Sequence, residues 1–202
     1  MNAGDGRRRP VLRLPQSPDV AAERLNEHIH AGLDVVLPGT LVLVDGCGVL
    51  LRGESGIGKS ETALALLEQG HALVADDAVR LRGRADGVLA GSAPTFLGGR
   101  LAVHGLGVMD IARHFGESAV AHRVAVELVV DIEPQPGADP LRGSWATAPL
   151  LGRQIPSLRL DPHRPLAMLI GAAVRECRIR RSGTQAADDL ERAQRPWMQC
   201  DS

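Results

Sequence analysis

The sequence predicts an α/β fold built on a mixed β-sheet, and three observations carry that expectation. A glycine-rich segment, Gly53-Glu54-Ser55-Gly56-Ile57-Gly58-Lys59-Ser60, stands between an apolar run that reads as a strand and a periodic run that reads as a helix. Leu41-Val42-Leu43-Val44 enters the turn pair Asp45-Gly46 and returns through Cys47-Gly48-Val49-Leu50-Leu51-Arg52, a hairpin signal that brings antiparallel pairs into the sheet. Further on, Ala72-Leu73-Val74-Ala75 and the run from Glu127 to Ile132 read as buried strands. A length of 202 residues leaves room for one domain with a sizeable core.

Taken in order, Met1 to about Pro18 carries Arg7-Arg8-Arg9, two glycines and three prolines, and reads as a flexible leader. Asp19 to Gly32 reads as a short helix capped by Ser17 or Asp19, and from Leu33 the pattern turns strand-rich. The helix leaving the glycine-rich segment spans Ser60 to Gln69, with Gly70 placed to end it at a C′ position. Val103 to Ile111 brackets Leu106 with two glycines, and Asp110 caps or begins a helix there. Leu166 to Ile179 reads as an apolar C-terminal helix, suited equally to the core or to a subunit interface. The expected domain runs over residues 19–181, and 182–202 is a tail that ends as a ragged helix near Pro196. Core candidates are Leu41, Leu43, Val49, Leu51, Leu66, Leu73, Val74, Val126, Leu128, Val130 and Met168.

The composition excludes several classes. A net charge of −1, with two Trp, two Phe and no Tyr, leaves neither the basic surface nor the stacking rings of a nucleic-acid binder. Three cysteines (Cys47, Cys177 and Cys200) are odd in number and far apart, so they form no zinc pattern or disulfide framework. They read as buried small apolar groups. No signal peptide or apolar stretch of membrane-spanning length is present, so no membrane contact is expected and the location reads as cytoplasmic. His28 and His30 read as surface residues, His71 as a packing or capping group, and His114, His122 and His163 show no ligand spacing.

The chemistry concentrates in the glycine-rich segment, a complete G-x-x-x-x-G-K-S phosphate-binding loop. Lys59 is the only lysine among 23 basic residues, so a compact ammonium appears once, where a phosphate contact asks for it. Gly53, Gly56 and Gly58 let the backbone take positive φ and gather N–H groups around an anion. Lys59 is placed to reach the β- and γ-phosphates of a nucleotide, and the Ser60 hydroxyl to ligate Mg²⁺. The candidate nucleotide-binding set thus runs through Gly53, Glu54, Ser55, Gly56, Ile57, Gly58, Lys59, Ser60 and Glu61. A second constellation is Asp76-Asp77, at the end of the strand after the loop helix. Side chains alternate along a strand, so, unless the strand has already ended, one carboxylate is expected to face Mg²⁺ and the other an incoming hydroxyl.

Together these segments resemble the catalytic domain of bacterial HPr kinase/phosphorylase. The resemblance rests on Gly53 to Val79 (GESGIGKSETALALLEQGHALVADDAV), on Gly91 to Pro94 (GSAP) and on Gly105 to Ile111 (GLGVMDI), with weaker echoes at Leu151 to Pro156 and Pro162 to Ala167. It covers roughly Ala21 to Arg181. It implies a P-loop fold similar to phosphoenolpyruvate carboxykinase and an oligomeric assembly. It also implies transfer of phosphate from ATP, with Mg²⁺, to a serine of HPr, the phosphocarrier of the sugar phosphotransferase system, and reversal by phosphorolysis that releases pyrophosphate. By position, Lys59 would neutralise phosphate, Ser60 would hold the metal and Asp77 would accept the serine proton, with Asp76 or water covering the metal ligand that the pattern lacks here.

The family pattern is not complete. Its histidine before the glycine of a strand leading to the loop is replaced by Pro38, ahead of Gly39. Its Glu-x-Arg before the GLG segment reads Ala102-Val103-His104, and of two further arginines one maps to Asp161 while Arg164 survives. Three readings follow: an active serine kinase on HPr or a similar small protein; a nucleotide-binding sensor or scaffold that has shed catalysis; and a P-loop kinase acting on a small molecule.

Overall fold

The computed structural model describes residues 11–13, 34–84, 86–95, 97–134 and 143–181. The helix expected over 19–32, most of the leader, the 182–202 tail, and with them His28, His30 and Cys200, lie outside the described residues. Twelve strands are present among the described residues: β1 (Val11–Arg13), β2 (Asp34–Pro38), β3 (Thr40–Val44), β4 (Cys47–Arg52), β5 (Ala72–Ala75), β6 (Ala78–Gly83), β7 (Leu89–Ser92), β8 (Arg100–Val103), β9 (Gly107–Asp110), β10 (Arg123–Ile132), β11 (Trp145–Leu150) and β12 (Arg153–Leu160). Among the described residues three α-helices accompany them, α1 (Lys59–Glu68), α2 (Ile111–Phe115) and α3 (Leu166–Arg181), with a 3-10 turn at Glu117–Ala119.

Ten strands form one mixed sheet in the order β1-β2-β6-β7-β10-β4-β3-β5, with β12 added to β10 and β11 to β12, while β8 and β9 form a separate hairpin. The expected β3–β4 hairpin is antiparallel, with Val44 facing Cys47 across Asp45-Gly46. Both turn residues take positive φ, 49° and 78°, the geometry a tight two-residue hairpin requires. The long strand β10 joins the two halves. It runs antiparallel to β7 at Arg123–Ala125, then parallel to β4 and β12 farther along.

The sheet has core on both faces, which explains why β4 reads as an unbroken apolar run. Val49 and Leu51 point into one cluster, with Leu66 and Leu67 of α1 and with Ile170 and Val174 of α3. Leu50 points the other way, into a second cluster with Val35, Leu37, Val79, Leu81 and Leu150 that the curl of the sheet encloses. Strand β10 changes sides once. Val126 lies in the second cluster and Leu128 in the first, although alternation alone would put them on one face. The register against β4 shifts between these two residues, and such a bulge inverts the facing of everything beyond it.

Gly48 sits at that irregularity. A Cβ there would stand 2.0 Å from the Ala125 carbonyl oxygen and 2.9 Å from Val124 Cγ2. Gly48→Ala is therefore expected to destabilise the fold by about 2–3 kcal/mol through forced backbone movement. A melting temperature within a degree of wild type would contradict that reading.

One core expectation fails. Met168 is 61% exposed. The buried residues of α3 are Leu166, Ala167, Ile170, Gly171, Ala173, Val174 and Cys177, and a 3.6-residue period turns position 168 away from that stripe. Leu43 is half-buried, packed against the second cluster. The other nine candidates are buried. Residues Val11–Arg13, inside the stretch expected as a leader, lie alongside β2 as parallel β1. The Cys47 and Cys177 thiols are free and buried, as expected. Burial first, then the Glu127 and Cys177 charges, push Cys47 up to about 12, which leaves it without a thiolate at neutral pH.

Candidate functional site

The glycine-rich loop joins β4, at the centre of the sheet, to the N-terminus of α1. Gly53, Gly56 and Gly58 all take positive φ (148°, 80° and 101°), as the loop chemistry requires. Their surroundings differ. A Cβ on Gly53 would meet the Ile132 carbonyl oxygen at 2.6 Å, so glycine is needed there for close packing on β10. Around Gly56 and Gly58 no atom of the described residues stands within 4 Å of a Cβ position, which leaves the inner face of the loop open. Gly58 caps α1 without any side chain, so the first N–H groups of the helix meet the cleft uncapped.

Lys59 folds back over this loop. Its Nζ donates to the Gly53 carbonyl at 3.0 Å and to the Glu54 carbonyl at 2.7 Å. Burial holds its pKa below the ordinary lysine range, while the charges of Asp77, Asp76 and Glu61 pull it upward. An incoming phosphate would pull in the same direction as those carboxylates and stabilise the charged form.

The two aspartates separate as expected. Asp76 is 5% exposed and lies under the loop. Its carboxylate accepts from the Thr40 hydroxyl (2.8 Å), from the Ser60 hydroxyl (3.1 and 3.2 Å) and from the Ala102 backbone N–H (3.1 Å). Asp77 is exposed, at a φ of 60°, and turns toward solvent just after β5 has ended. Its carbonyl accepts from the Gly39 N–H at 3.3 Å, which ties this turn to the end of β2.

A cleft of about 340 Å³ brings Ser55, Gly56, Gly58, Lys59, Ser60, Glu61 and Asp77 together with Ala102, Val103, His104, Gly107 and Val108. Gly53 and Glu54 reach it only through the carbonyls that hold Lys59, and Ile57 packs against the first core cluster instead. Asp76 stands behind Ser60. At the positions where the family pattern breaks, Ala102 presents an exposed methyl to the cleft and His104 an exposed ring. Pro38 pairs with Ala78, next in sequence to Asp77. Arg164 lies in an exposed turn, its N–H donating to the Asp161 carbonyl, and is not part of the cleft wall.

Thr40 escaped the sequence reading. It is fully buried at the start of an otherwise apolar strand, and its hydroxyl fixes the Asp76 carboxylate. A lone polar residue in the run Thr40-Leu41-Val42-Leu43-Val44 was the available signal. The Ala102 contact could not be found that way, because it comes from the backbone.

Burial is the largest influence on Asp76 and raises its pKa above the ordinary 3.8, against the lowering effect of its hydrogen bonds. The folded state therefore holds this proton more tightly than the unfolded chain. The resulting stabilisation is full below 3.8 and is lost as pH rises through the folded value. Asp76→Asn removes the titration, so its melting temperature should gain on wild type between pH 4 and pH 8. A difference independent of pH would sink this account.

Fold and cleft together define the class: an α/β domain with an open glycine-rich loop at the mouth of a cleft. Comparison with known proteins gives the family. The model of the HPr Serine kinase C-terminal domain matches residues 32–194, and the chain belongs to that family. An HPr kinase/phosphorylase of Geobacillus sp. is 36% identical over 188 residues, which cover 90% of this chain and 60% of the relative. One of Bacillus cereus is 34% identical over 188 residues, covering 90% and 61%. The chain thus spans about three fifths of the length of these curated relatives. The solved structure of the Hpr(Ser) kinase/phosphatase from Coxiella burnetii superposes with a TM-score of 0.69 at 34% identity, over 73% of this chain and 93% of that one. Among the described residues no helix is long and apolar enough to cross a membrane.

Proposed function

We propose that this chain is an ATP- and Mg²⁺-dependent serine kinase that phosphorylates HPr or a similar small phosphocarrier protein, with the reverse phosphorolysis open to the same site. The observation that carries the reading is the division of labour in the cleft: Ser60 is held on buried Asp76, while Lys59 and exposed Asp77 share the open side. That is the arrangement phosphoryl transfer asks of a protein, where catalysis is mostly positioning and charge stabilisation.

The residues fit a nucleotide phosphate. Open αL glycines, an uncapped helix N-terminus and a single lysine form a cradle for an anion. They also fit Mg²⁺, which would be held by Ser60 and Asp76 and would supply charge neutralisation on the phosphate oxygens. Among the described residues no group of three or more His, Cys, Asp or Glu gathers, so a cation here would rely on phosphate and water for its other ligands. Thr40 and the Ala102 N–H fix the Asp76 carboxylate from behind, which keeps the Ser60 hydroxyl in place. In this reading Asp77 takes the proton from the attacking serine hydroxyl and returns it during dephosphorylation. Association into a homo-oligomer and a cytoplasmic setting belong to the same reading, and light scattering on the purified chain tests the first.

A second reading rests on Ala102. A methyl faces the cleft where the resemblance expects a carboxylate, which suits a domain that binds nucleotide without turnover. The experiment that separates the two is a transfer assay with radiolabelled ATP, Mg²⁺ and HPr beside a calorimetric ATP titration. Label on an HPr serine supports the kinase. ATP binding with no label on any serine supports the sensor.

A further inference from the structure

Four arginines converge on a second cleft that shares no residue with the loop site. It has a volume of about 200 Å³ and is lined by Arg80, Arg82 and Arg84 of β6 and the turn after it, Ala90 and Ser92 of β7, and Arg123 of β10. The alternation of β6 produces it. Val79 and Leu81 fill the second core, so residues 80, 82 and 84 all face the opposite side. Between the arginine-bearing strands, β7 offers only the small side chains of Ala90 and Ser92, which leaves a trench rather than a packed surface.

Two of the four charges are already matched. Arg82 forms a bidentate pair with Asp34, at 2.5 and 2.6 Å, and Arg84 pairs with Asp86 at 2.9 Å. Arg80 and Arg123 have no carboxylate partner among the described residues. They stand in one row of the sheet, on either side of Ser92, because Arg80 and Arg123 both register with that residue. Two strand spacings put their backbones roughly 10 Å apart, and long side chains from both positions can meet over the serine. The Nε of Arg80 is buried with no hydrogen-bond partner among the described residues. A buried guanidinium N–H left unmade is costly and asks for an acceptor. Like charges crowded into one trench ask for a counter-charge as well.

We propose that this trench binds the phosphate group of a small phosphorylated molecule, with Arg80 and Arg123 forking onto its oxygens above Ser92. Planar guanidinia suit a tetrahedral oxyanion, since each presents two parallel donors. The volume is several times a water's share of about 30 Å³, so it admits a phosphate with a short organic body. Arg80 lies three residues from Asp77 on the same stretch of chain, which puts the occupant one strand end away from the loop cleft.

The test uses the full chain carrying Lys59→Met, which disables the loop site. Inorganic phosphate and glycerol phosphate are titrated in turn, and the arginine Nε–H signals are followed by NMR. The expected result is saturable binding that shifts the Arg80 Nε–H signal and is weakened about tenfold by Arg123→Gln. Arg80→Gln should remove the shifting signal and weaken binding at least as much. If that variant does not fold, exposed Arg123→Gln alone carries the test. Tighter binding of glycerol phosphate identifies an organic phosphomonoester as the ligand class, and equal binding identifies the free anion. Absence of saturable binding in the Lys59→Met protein, or binding that Arg123→Gln leaves unchanged, overturns the proposal.

Discussion

Lys59→Met should cut phosphate transfer by two to three orders of magnitude, about the loss seen when one charge-stabilising donor is removed from a preorganised site. The chain has no second lysine, and among the described residues no arginine lines the loop cleft. Among the described residues no other lysine or arginine is therefore placed to take over. The folded state should survive the change, because Lys59 contributes to the loop only through two carbonyl contacts, to Gly53 and Glu54. A melting temperature within a few degrees of wild type, together with the lost transfer, is the expected pair of results. Transfer within tenfold of wild type would mean that the ammonium does not touch the reacting phosphate.

Asp77→Asn carries the second large effect. General base catalysis by a positioned carboxylate is worth about 10² to 10⁴ in rate, and an amide cannot take the proton. The substitution is conformationally mild, since Asp77 sits at a φ of 60° and asparagine is among the few residues that tolerate this region. Nucleotide affinity should stay within a few-fold of wild type, because Lys59, Ser60 and the glycines are untouched. Equal rates for variant and wild type would remove Asp77 from the chemistry and leave positioning alone.

How far the sequence could be read depended on whether a feature was local. The β3–β4 hairpin, the loop glycines and α1 were legible because their signals lie within a few residues of each other: a turn pair, a motif, a periodic run ended by Gly70. The split between Asp76 and Asp77 was anticipated from alternation, but alternation does not produce it: β5 ends at Ala75, and the turn at Asp77, with a φ of 60°, sends the two carboxylates apart. The bulge in β10 was not legible. It depends on Gly48 meeting the Ala125 backbone, a contact between segments 77 residues apart in sequence. Met168 misled because an apolar residue in an apolar helix was read as buried without fixing the phase of the stripe. Thr40 and the Ala102 N–H were hidden for a similar reason. They belong to the site only after three distant strand ends have been brought around one carboxylate.

The arginine trench shows the same limit from another side. Arg80, Arg82 and Arg84 have the spacing of an exposed strand face, which in sequence reads as solubility. Only the pairing of β6 and β10 with β7 puts Arg123 across from Arg80.

The most direct measurement is transfer of the γ-phosphate from labelled ATP to HPr, with Mg²⁺, by the wild-type chain and by Asp77→Asn in parallel. The account predicts label on a serine of HPr with the wild type and a loss of at least about a hundredfold with the variant, while calorimetry finds ATP bound to both. ATP bound by the wild-type chain with no label on any serine would contradict it.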